Sequence, residues 1–294
     1  FSLLLIFCAL TLAIYAQGSK ELTLKDAVTG KYNGERLGDV VPMADGEHYT
    51  MMSNDKKRIV KYSFKTGKEV ETLFDVSKAR DCTFKSFDGY QLSPDETKIL
   101  IQTETKPIYR RSFTAIHYVY TIKRNVVEKL SDGGPQQVPT FSPDGNQVAF
   151  VRNNNIFLVK FLYGNSESQV TTDGAFGKVI NGIPDWVYEE EFELNNSFAF
   201  SPDNLMIVFV RFDETAVPSY SFPLFAGQYP ANKEFEYYPG SYSYKYPKAG
   251  QKNSTVTVHS FDIKSKVIRK LDIPIKKDDY IPRIRFTKDE NKLA

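Results

Sequence analysis

The sequence predicts an all-β protein, a β-propeller built from four-stranded antiparallel blades. Three observations support this prediction. A short motif recurs along the chain, its clear copies begin about 50 residues apart, and the 18 Tyr and 22 Phe among 294 residues favour strands. Propellers typically repeat four short antiparallel strands about every 50 residues. The alternative interpretation is a stack of unrelated β-meanders.

The repeated motif has three clear copies and two weaker ones. The clear copies read Ser-Pro-Asp and lead into a hydrophobic run. Successive copies are 50, 49, 59 and 86 residues apart, so the last two intervals contain insertions. The copies begin at Met43, Ser93, Ser142, Ser201 and Thr287. About four complete units fit in the chain.

The third unit shows how the four strands are arranged. Residues 143–145 read Pro-Asp-Gly and residues 153–155 read Asn-Asn-Asn. Both are predicted turns, because Pro presets φ while Gly and Asn tolerate a positive φ. The predicted strands are one that ends at Phe141, then Val148–Arg152, Ile156–Lys160, and a short one around Val170.

The composition argues against a nucleic-acid-binding protein and against a metalloprotein. Charged residues make up 25% of the chain and nearly balance, with a net charge of +2. A domain that binds nucleic acid usually carries a basic patch, which this sequence does not indicate. No group of His, Cys, Asp and Glu has the spacing of metal ligands. We therefore expect no nucleic-acid partner and no metal or other cofactor.

The amino-terminal run Phe1–Ala13 is apolar and has the length of a signal-peptide core, too short to span a membrane. Ala16 and Gly18 are suitable cleavage positions, so we predict a signal peptide over residues 1–18 whose basic start is missing. The remainder, residues 19–294, keeps one cysteine, Cys82. An exported chain without an internal disulfide favours a bacterial periplasm or cell envelope. A secreted, extracellular protein is the alternative.

Strand order predicts which connections share a face of the propeller. In an up-and-down blade, the loop after strand two and the crossover into the next blade lie on the same face. Three unusual segments fall there: the basic loop 103–112, the acidic crossover 183–195, and the aromatic insertion 212–254. Together they predict a binding surface. The insertion could line a pocket, pack at an oligomer interface, or cover the propeller rim.

The acidic segment is the most informative part of the chain. Residues 181–191 read Asn-Gly-Ile-Pro-Asp-Trp-Val-Tyr-Glu-Glu-Glu and contain the only Trp. Adjacent carboxylates repel one another unless a cation lies against them. The alternative is a solvated helix face. Asp185 is placed to cap a short helix.

Together with two later segments, this string resembles the propeller domain of the dipeptidyl peptidase IV family, serine peptidases of the prolyl oligopeptidase clan. The later segments are 210–218 and 246–250. The resemblance implies that Glu190 and Glu191 bind the free amino terminus of a peptide substrate. It implies supporting positions for Glu189, Asp185 and Trp186. Glu193 departs from the family pattern, and we expect it to lie outside the amine-binding pair.

The basic loop carries a second part of the resemblance. Residues 109–115 read Tyr-Arg-Arg-Ser-Phe-Thr-Ala, similar to the family's aromatic-Arg-x-Ser-aromatic-Thr-Ala segment. The resemblance implies that Arg110 donates to a substrate carbonyl oxygen and that Tyr109 supports it. Arginine suits this role because its guanidinium is always charged and presents its donors in a fixed fork. The alternative for Arg110 and Arg111 is an exposed basic pair.

The family fold implies more than these residues. Its propellers have eight blades followed by an α/β-hydrolase domain, so residues 19–294 are expected to form an incomplete propeller. The sequence has no Gly-x-Ser-x-Gly motif. The catalytic Ser, Asp and His of the family are therefore expected beyond Ala294.

The resemblance implies an exported serine exopeptidase that releases amino-terminal dipeptides with Pro or Ala in the second position. This segment would recognise the substrate's amino terminus. The implied partners are peptides with a free amino terminus and the hydrolase domain of the same protein. Whether the protein also forms a homodimer is left open by the sequence. The alternative is a non-enzymatic propeller that binds proteins, or an inactive relative.

Overall fold

A computed structural model of the chain describes residues 22–34, 38–227, 233–276, 279–289 and 292–294. The chain divides into two units, Phe1–Val40 and Val41–Ala294. In the first unit, Thr23 caps the short helix α1 (Leu24–Val28), because its hydroxyl oxygen accepts from the backbone amide of Asp26 at 3.1 Å. The predicted signal peptide lies outside the described residues.

The second unit contains four consecutive antiparallel sheets whose strands follow chain order. The first three sheets have four strands each. The first contains β1 (Val41–Pro42), β2 (His48–Met52), β3 (Arg58–Ser63) and β4 (Glu69–Asp75). The second contains β5 (Gly89–Leu92), β6 (Lys98–Pro107), β7 (Phe113–Thr121) and β8 (Val126–Lys129). The third contains β9 (Gln137–Phe141), β10 (Gln147–Arg152), β11 (Asn155–Lys160) and β12 (Ser166–Gln169).

The fourth sheet contains the same kind of unit with two additions. Its strands are β13 (Val179–Asn181), β14 (Phe198–Phe200), β15 (Met206–Asp213), β18 (Thr255–Asp262) and β19 (Ile268–Lys270). The additions are helix α2 (Trp186–Phe192) and a separate hairpin of β16 (Ser219–Leu224) with β17 (Gly240–Lys245). Short 3-10 turns lie at Phe161–Tyr163 and Lys233–Phe235. The protein is an all-β propeller segment with four-stranded blades, as predicted.

All five copies of the repeated motif make the same backbone hydrogen bond. In each copy the amide of the first residue donates to the carbonyl oxygen five residues later at 2.9 Å. The bond begins at Met43, Ser93, Ser142, Ser201 and Thr287. In the three clear copies, the Ser hydroxyl also donates to the Asp two residues later at 2.5–2.6 Å. The alignment of strong and weak copies is therefore confirmed.

The third blade agrees with the strands predicted for it to within a few residues at each end. The turn between β10 and β11 has Asn153 and Asn154 at φ 50° and 61°, and Gly145 lies at φ 67°. These are the left-handed conformations for which the sequence supplied Asn and Gly.

Neighbouring blades pack face to face through separate cores. Ile99 on β6 packs with Ile59 of the first blade, whereas the adjacent residue Leu100 packs with Phe150 of the third. On β10, Ala149 packs in turn with Phe209 of the fourth blade. Because successive side chains of a strand point to opposite faces, each central strand contributes to two cores. This arrangement buries the central strands on both sides.

The last part of the chain contains little regular structure. Among the described residues after Lys270, the only pairing is an isolated antiparallel bridge between Phe286 and Leu293. This bridge closes the fifth copy of the motif. In the described part of the chain, no helix has both the length and the apolar character needed to cross a bilayer.

Candidate functional site

Helix α2 leaves the fourth blade from within its first strand. β13 pairs with residues 211–213 of β15, and β14 pairs with residues 207–209 of the same strand. β13 and β14 therefore form one interrupted strand, and residues 182–197 are an excursion from it. The prediction that this segment belongs to the crossover between blades is therefore wrong. The crossover ends earlier, before Val179.

The base of the excursion is closed by backbone bonds. The amide of Ser197 donates to the carbonyl oxygen of Gly182 at 2.9 Å, and the Gly182 amide donates to that of Val210 at 3.0 Å. Gly182 has φ 78°, and a Cβ there would lie 2.9 Å from Ile156. Only glycine meets both requirements at this exit point. The blade ladder thus continues past the excursion.

Asp185 caps the start of helix α2, as predicted. An Asp185 carboxylate oxygen accepts from the backbone amide of Tyr188 at 3.0 Å, and the other accepts from the Ser254 hydroxyl at 2.5 Å. The helix ends at Glu193, which has a left-handed φ of 58°. Seven residues are too few for a helix to be stable alone. Packing of the buried Tyr188 ring on Phe212, with centroids 4.9 Å apart, supplies the missing stability.

The three consecutive glutamates point into different environments, because successive helical residues are rotated by about 100°. Glu189 is 1% exposed, and its Oε1 accepts from the backbone amides of Arg111 and Ser112 at 2.8 and 2.7 Å. Glu190 is half-buried and pairs with Arg110, Oε2 to Nε, at 2.8 Å. Glu191 is exposed. The helix geometry therefore separates the three like charges.

The basic loop, which contains Arg110 and Arg111 and is called the arginine loop below, is shorter than predicted. Strand β6 continues to Pro107, with a bulge between Thr103 and Lys106, so residues 103–107 are strand and only 108–112 form the loop. The bulge is marked by Glu104, which has φ 53°. The loop is closed by the amide of Ile108, which donates to the carbonyl oxygen of Ser112 at 2.9 Å.

The two arginines of this loop make different contacts. The Arg110 side chain is 73% exposed and reaches Glu190. Arg111 is less exposed, and its Nη2 lies 2.9 Å from a carboxylate oxygen of Glu193. The acidic segment thus carries four glutamates, at residues 189, 190, 191 and 193, beside the two arginines of this loop. The surplus of negative charge suits a cationic ligand.

The aromatic insertion packs against both of these segments. Tyr246 stacks on Trp186 with ring centroids 4.3 Å apart, and Tyr244 lies 5.2 Å from Tyr109. The β16–β17 hairpin therefore brings the basic loop, the acidic helix and the insertion together. The three segments predicted to share a face do meet. The roles of Glu190, Glu191 and Arg110 toward a substrate stay predictions.

Beneath the helix lies a cavity of about 180 Å³. Its walls combine the aromatic residues Tyr109, Trp186, Tyr242 and Tyr244 with the carboxyl groups of Asp185, Glu189 and Glu214. The insertion thus lines a pocket, one of its three predicted roles. Metal-ligating side chains do not come together here or elsewhere in the described ranges.

Three residues of the site were not predicted from the sequence: Glu214, Ser254 and Lys245. Glu214 is 6% exposed, and burial, followed by the nearby charge of Asp185, raises its pKa from 4.5 to about 7. Burial also raises the pKa of Asp185. Glu214 lies within the segment 210–218, and nothing in the sequence shows that the chain buries it beside another carboxyl group.

The fold and the site define a propeller segment that presents an acidic helix and an arginine loop on one face. The family model described as "Dipeptidyl peptidase IV (DPP IV) N-terminal region" matches residues 93–294, more than half of the chain. The chain belongs to this family, which confirms the resemblance seen in the sequence.

Solved structures agree with this assignment. The crystal structure of Porphyromonas gingivalis dipeptidyl peptidase 4 is 44% identical, with a TM-score of 0.88, over 95% of this chain and 38% of that one. A putative dipeptidyl aminopeptidase IV from Bacteroides ovatus, 18% identical with a TM-score of 0.62, covers 94% of this chain and 36% of its own. The latter likeness shows the fold alone.

Curated relatives carry two kinds of name. Human "Prolyl endopeptidase FAP" is 30% identical over 88% of this chain and 33% of that protein. A "Probable dipeptidyl peptidase 4" of Aspergillus fumigatus is 30% identical over 90% of this chain and 34% of its own length. The chain therefore spans about a third of the length of these relatives.

Proposed function

We propose that this segment recognises the amino terminus of peptide substrates for an exported serine exopeptidase that releases dipeptides with Pro or Ala in the second position. The observation that carries the proposal is the arrangement of the glutamate triplet. Glu190 is held by Arg110 at 2.8 Å, Glu191 on the same helical turn is exposed, and Glu189 anchors the turn to the arginine loop.

The proposed binding mode follows from charge and position. An α-amino group has a pKa of about 7.7–8.0 and is a cation below that pH. Glu190 and Glu191 together offer two negative charges to it, while Arg110 supplies donors for a substrate carbonyl oxygen. Since the helix fixes the carboxylates, a longer peptide extension beyond the amino group would be excluded. The hydrolase domain expected in the same protein would supply the acyl-enzyme chemistry.

The cellular setting belongs to the same proposal. The apolar amino-terminal run and the single cysteine of residues 19–294 support export to a bacterial periplasm or cell envelope. Exposed carboxylates on a propeller face fit peptides better than nucleic acid, whose phosphates they would repel.

The experiment compares Glu190→Gln, Glu191→Gln and Glu193→Gln in the full-length protein, using dipeptide amides with a free or an acetylated amino group. Each of the first two changes removes a charged hydrogen-bond partner of the amine, which contributes roughly 1.5–3 kcal/mol, and should lower kcat/KM about tenfold or more. Glu193→Gln is the matched control, because its side chain is 70% exposed and faces Arg111. Acetylated substrate should be refused by the unaltered protein.

Three outcomes would contradict the proposal. If the acetylated and free substrates were cleaved equally well, the protein would act as an endopeptidase, the activity in the name of the human relative. If the full-length protein cleaved neither substrate but bound other proteins on this face, it would be a binding module or an inactive relative. Equal rates for all three variants and the unaltered protein would remove the amine-binding role from the triplet.

A further inference from the structure

Glu214 is a buried carboxyl group to which the proposed amine-binding site gives no role. It follows the last residue of β15, where the aromatic insertion begins, and its backbone amide donates to the carbonyl oxygen of Lys178 at 2.8 Å. Its main chain is therefore fixed. Its side chain lies in the wall of the cavity under helix α2, together with Asp185 and Trp186.

Asp185 connects this cavity to the helix. Its carboxylate accepts from the first turn of α2, at the amide of Tyr188, and from Ser254 at the far end of the insertion. Glu214 and Asp185 are both at least nine-tenths buried, and the charge of Asp185 contributes to the raised pKa of Glu214. Two carboxylates in one cavity of low dielectric repel each other strongly.

Other charged and titratable groups around Glu214 do not remove this repulsion. Asp213 of β15 adds a further negative charge. The positive charge of Lys245 on β17 lowers the pKa of Glu214, but the ammonium group itself donates to the carbonyl oxygen of Val217 at 2.7 Å. The remaining titratable groups of the cavity wall are Glu189, which is bonded to the arginine loop, and Tyr109, Tyr242 and Tyr244. The pKa of Glu214 stays raised to about 7 in their presence.

We propose that Glu214 is a positioning residue for the amine-binding glutamates: its ionised carboxylate weakens the Asp185 cap of helix α2, whereas its protonated form leaves the cap intact. This inference rests on the proposed function of Glu190 and Glu191. When Glu214 loses its proton, its carboxylate repels that of Asp185. The repulsion pushes Asp185 away from the Tyr188 amide and weakens the hydrogen bond that caps the helix, a bond of the stronger kind because its acceptor is ionised.

The first test follows the cavity itself and needs no activity. Trp186 is the only Trp among these 294 residues and lines the same cavity. In the full-length protein, the Trp186 signal is obtained by subtracting the fluorescence of a variant that carries Trp186→Phe from that of the same protein with Trp186. The subtraction is made both for the unaltered protein and for Glu214→Gln. Titrated between about pH 5 and about pH 9, this difference should show a transition near pH 7 that is absent in Glu214→Gln.

A second variant keeps the test decisive if Glu214→Gln does not fold. Asp185→Asn keeps a side chain that caps helices well but removes the neighbouring negative charge. The transition should then move to lower pH, because Glu214 ionises more readily. A transition that persists in Glu214→Gln, or that does not move in Asp185→Asn, would overturn the inference.

The second test measures the effect on substrate binding. The ratio of KM for the unaltered protein to KM for Glu214→Gln cancels the titration of the substrate amine. It should be near one below pH 6 or so and rise about threefold to tenfold above pH 8 or so, the range expected for a weakened helix cap. The kcat ratio should stay constant. A KM ratio that does not change with pH would overturn the positioning role.

The two proposals fail in different ways. If Glu190→Gln and Glu191→Gln leave KM unchanged while the Trp186 transition still depends on Glu214, the amine-binding proposal falls and the control of the helix by Glu214 stands. If those two variants raise KM but the Trp186 transition is missing from the unaltered protein, amine binding stands and Glu214 has no positioning role.

Discussion

The third and fourth blades are built from the same repeat but differ in what they carry. Aligned on Ser142 and Ser201, the buried residues Phe150 and Phe209 occupy equivalent positions and are 0% and 1% exposed. The third blade joins its strands by short connections. The fourth blade adds the excursion 182–197 and the insertion between β15 and β18.

The comparison of the two blades shows how a regular scaffold accommodates long insertions. The excursion leaves and re-enters through the hydrogen bond between Ser197 and Gly182, so the ladder of the blade is preserved. The candidate binding groups lie on the helix of the excursion and on the neighbouring arginine loop, while the blade cores contain the shared hydrophobic residues. Core and site thus use separate residues.

The largest expected effect is on the free energy of unfolding, and it tests whether the cores of the third and fourth blades contribute equally to stability. Phe150→Ala and Phe209→Ala should each lower the free energy of unfolding by about 3–5 kcal/mol, because each removes a fully buried ring. Chemical denaturation of the full-length protein measures both losses. A much smaller loss in the fourth blade would show that its additions, rather than the repeated core, stabilise it.

An intermediate effect is expected on the pH dependence of stability, through the buried carboxyl group of Glu214, which has no counterpart in the third blade. The folded-state pKa of Glu214 is raised from 4.5 to about 7, so the folded protein holds a proton that the unfolded chain releases. Stability is therefore lost as the pH rises from about 4.5 to 7, by up to about 3 kcal/mol. Glu214→Gln should be more stable than the unaltered protein at about pH 8 but not at about pH 5.

Unfolding experiments at the two pH values measure this difference. Glu193→Gln serves as the control, since it makes the same chemical change at an exposed position and should show no gain that depends on pH. If Glu214→Gln raised the free energy of unfolding equally at both pH values, the cause would be a change in packing and not the titration of Glu214.

The smallest expected effect compares one ion pair from each region. Arg111–Glu193 at the site is largely exposed on its Glu side, whereas Arg152–Glu167 of the third blade is mostly buried, with Arg152 stacked 4.0 Å from the Phe157 ring centre. A double-mutant cycle should give a coupling of about 0–1 kcal/mol for the first pair and a larger one for the second. Salt should reduce the first coupling more. A larger coupling energy for Arg111–Glu193 than for Arg152–Glu167 would show that Arg111 anchors the site.

The sequence determined the repeat, and with it the blades. Turn residues such as Gly145, Asn153 and Asn154 act locally, because their φ preferences require no distant partner. The same holds for Asp185 as a helix cap. The family was visible from contiguous motifs, and these also indicated Arg110, Glu190 and Glu191 as candidate binding residues.

The extent of each strand and the surroundings of each charge depend on contacts that exist only in the folded chain. The continuation of β6 to Pro107 depends on its partner β7, and the division of one strand into β13 and β14 depends on pairing with β15. The burial of Glu214 beside Asp185 depends on contacts between residues far apart in the chain. Hydrophobic period and turn preference are local properties of a sequence, whereas burial and electrostatic environment arise only when distant segments pack together.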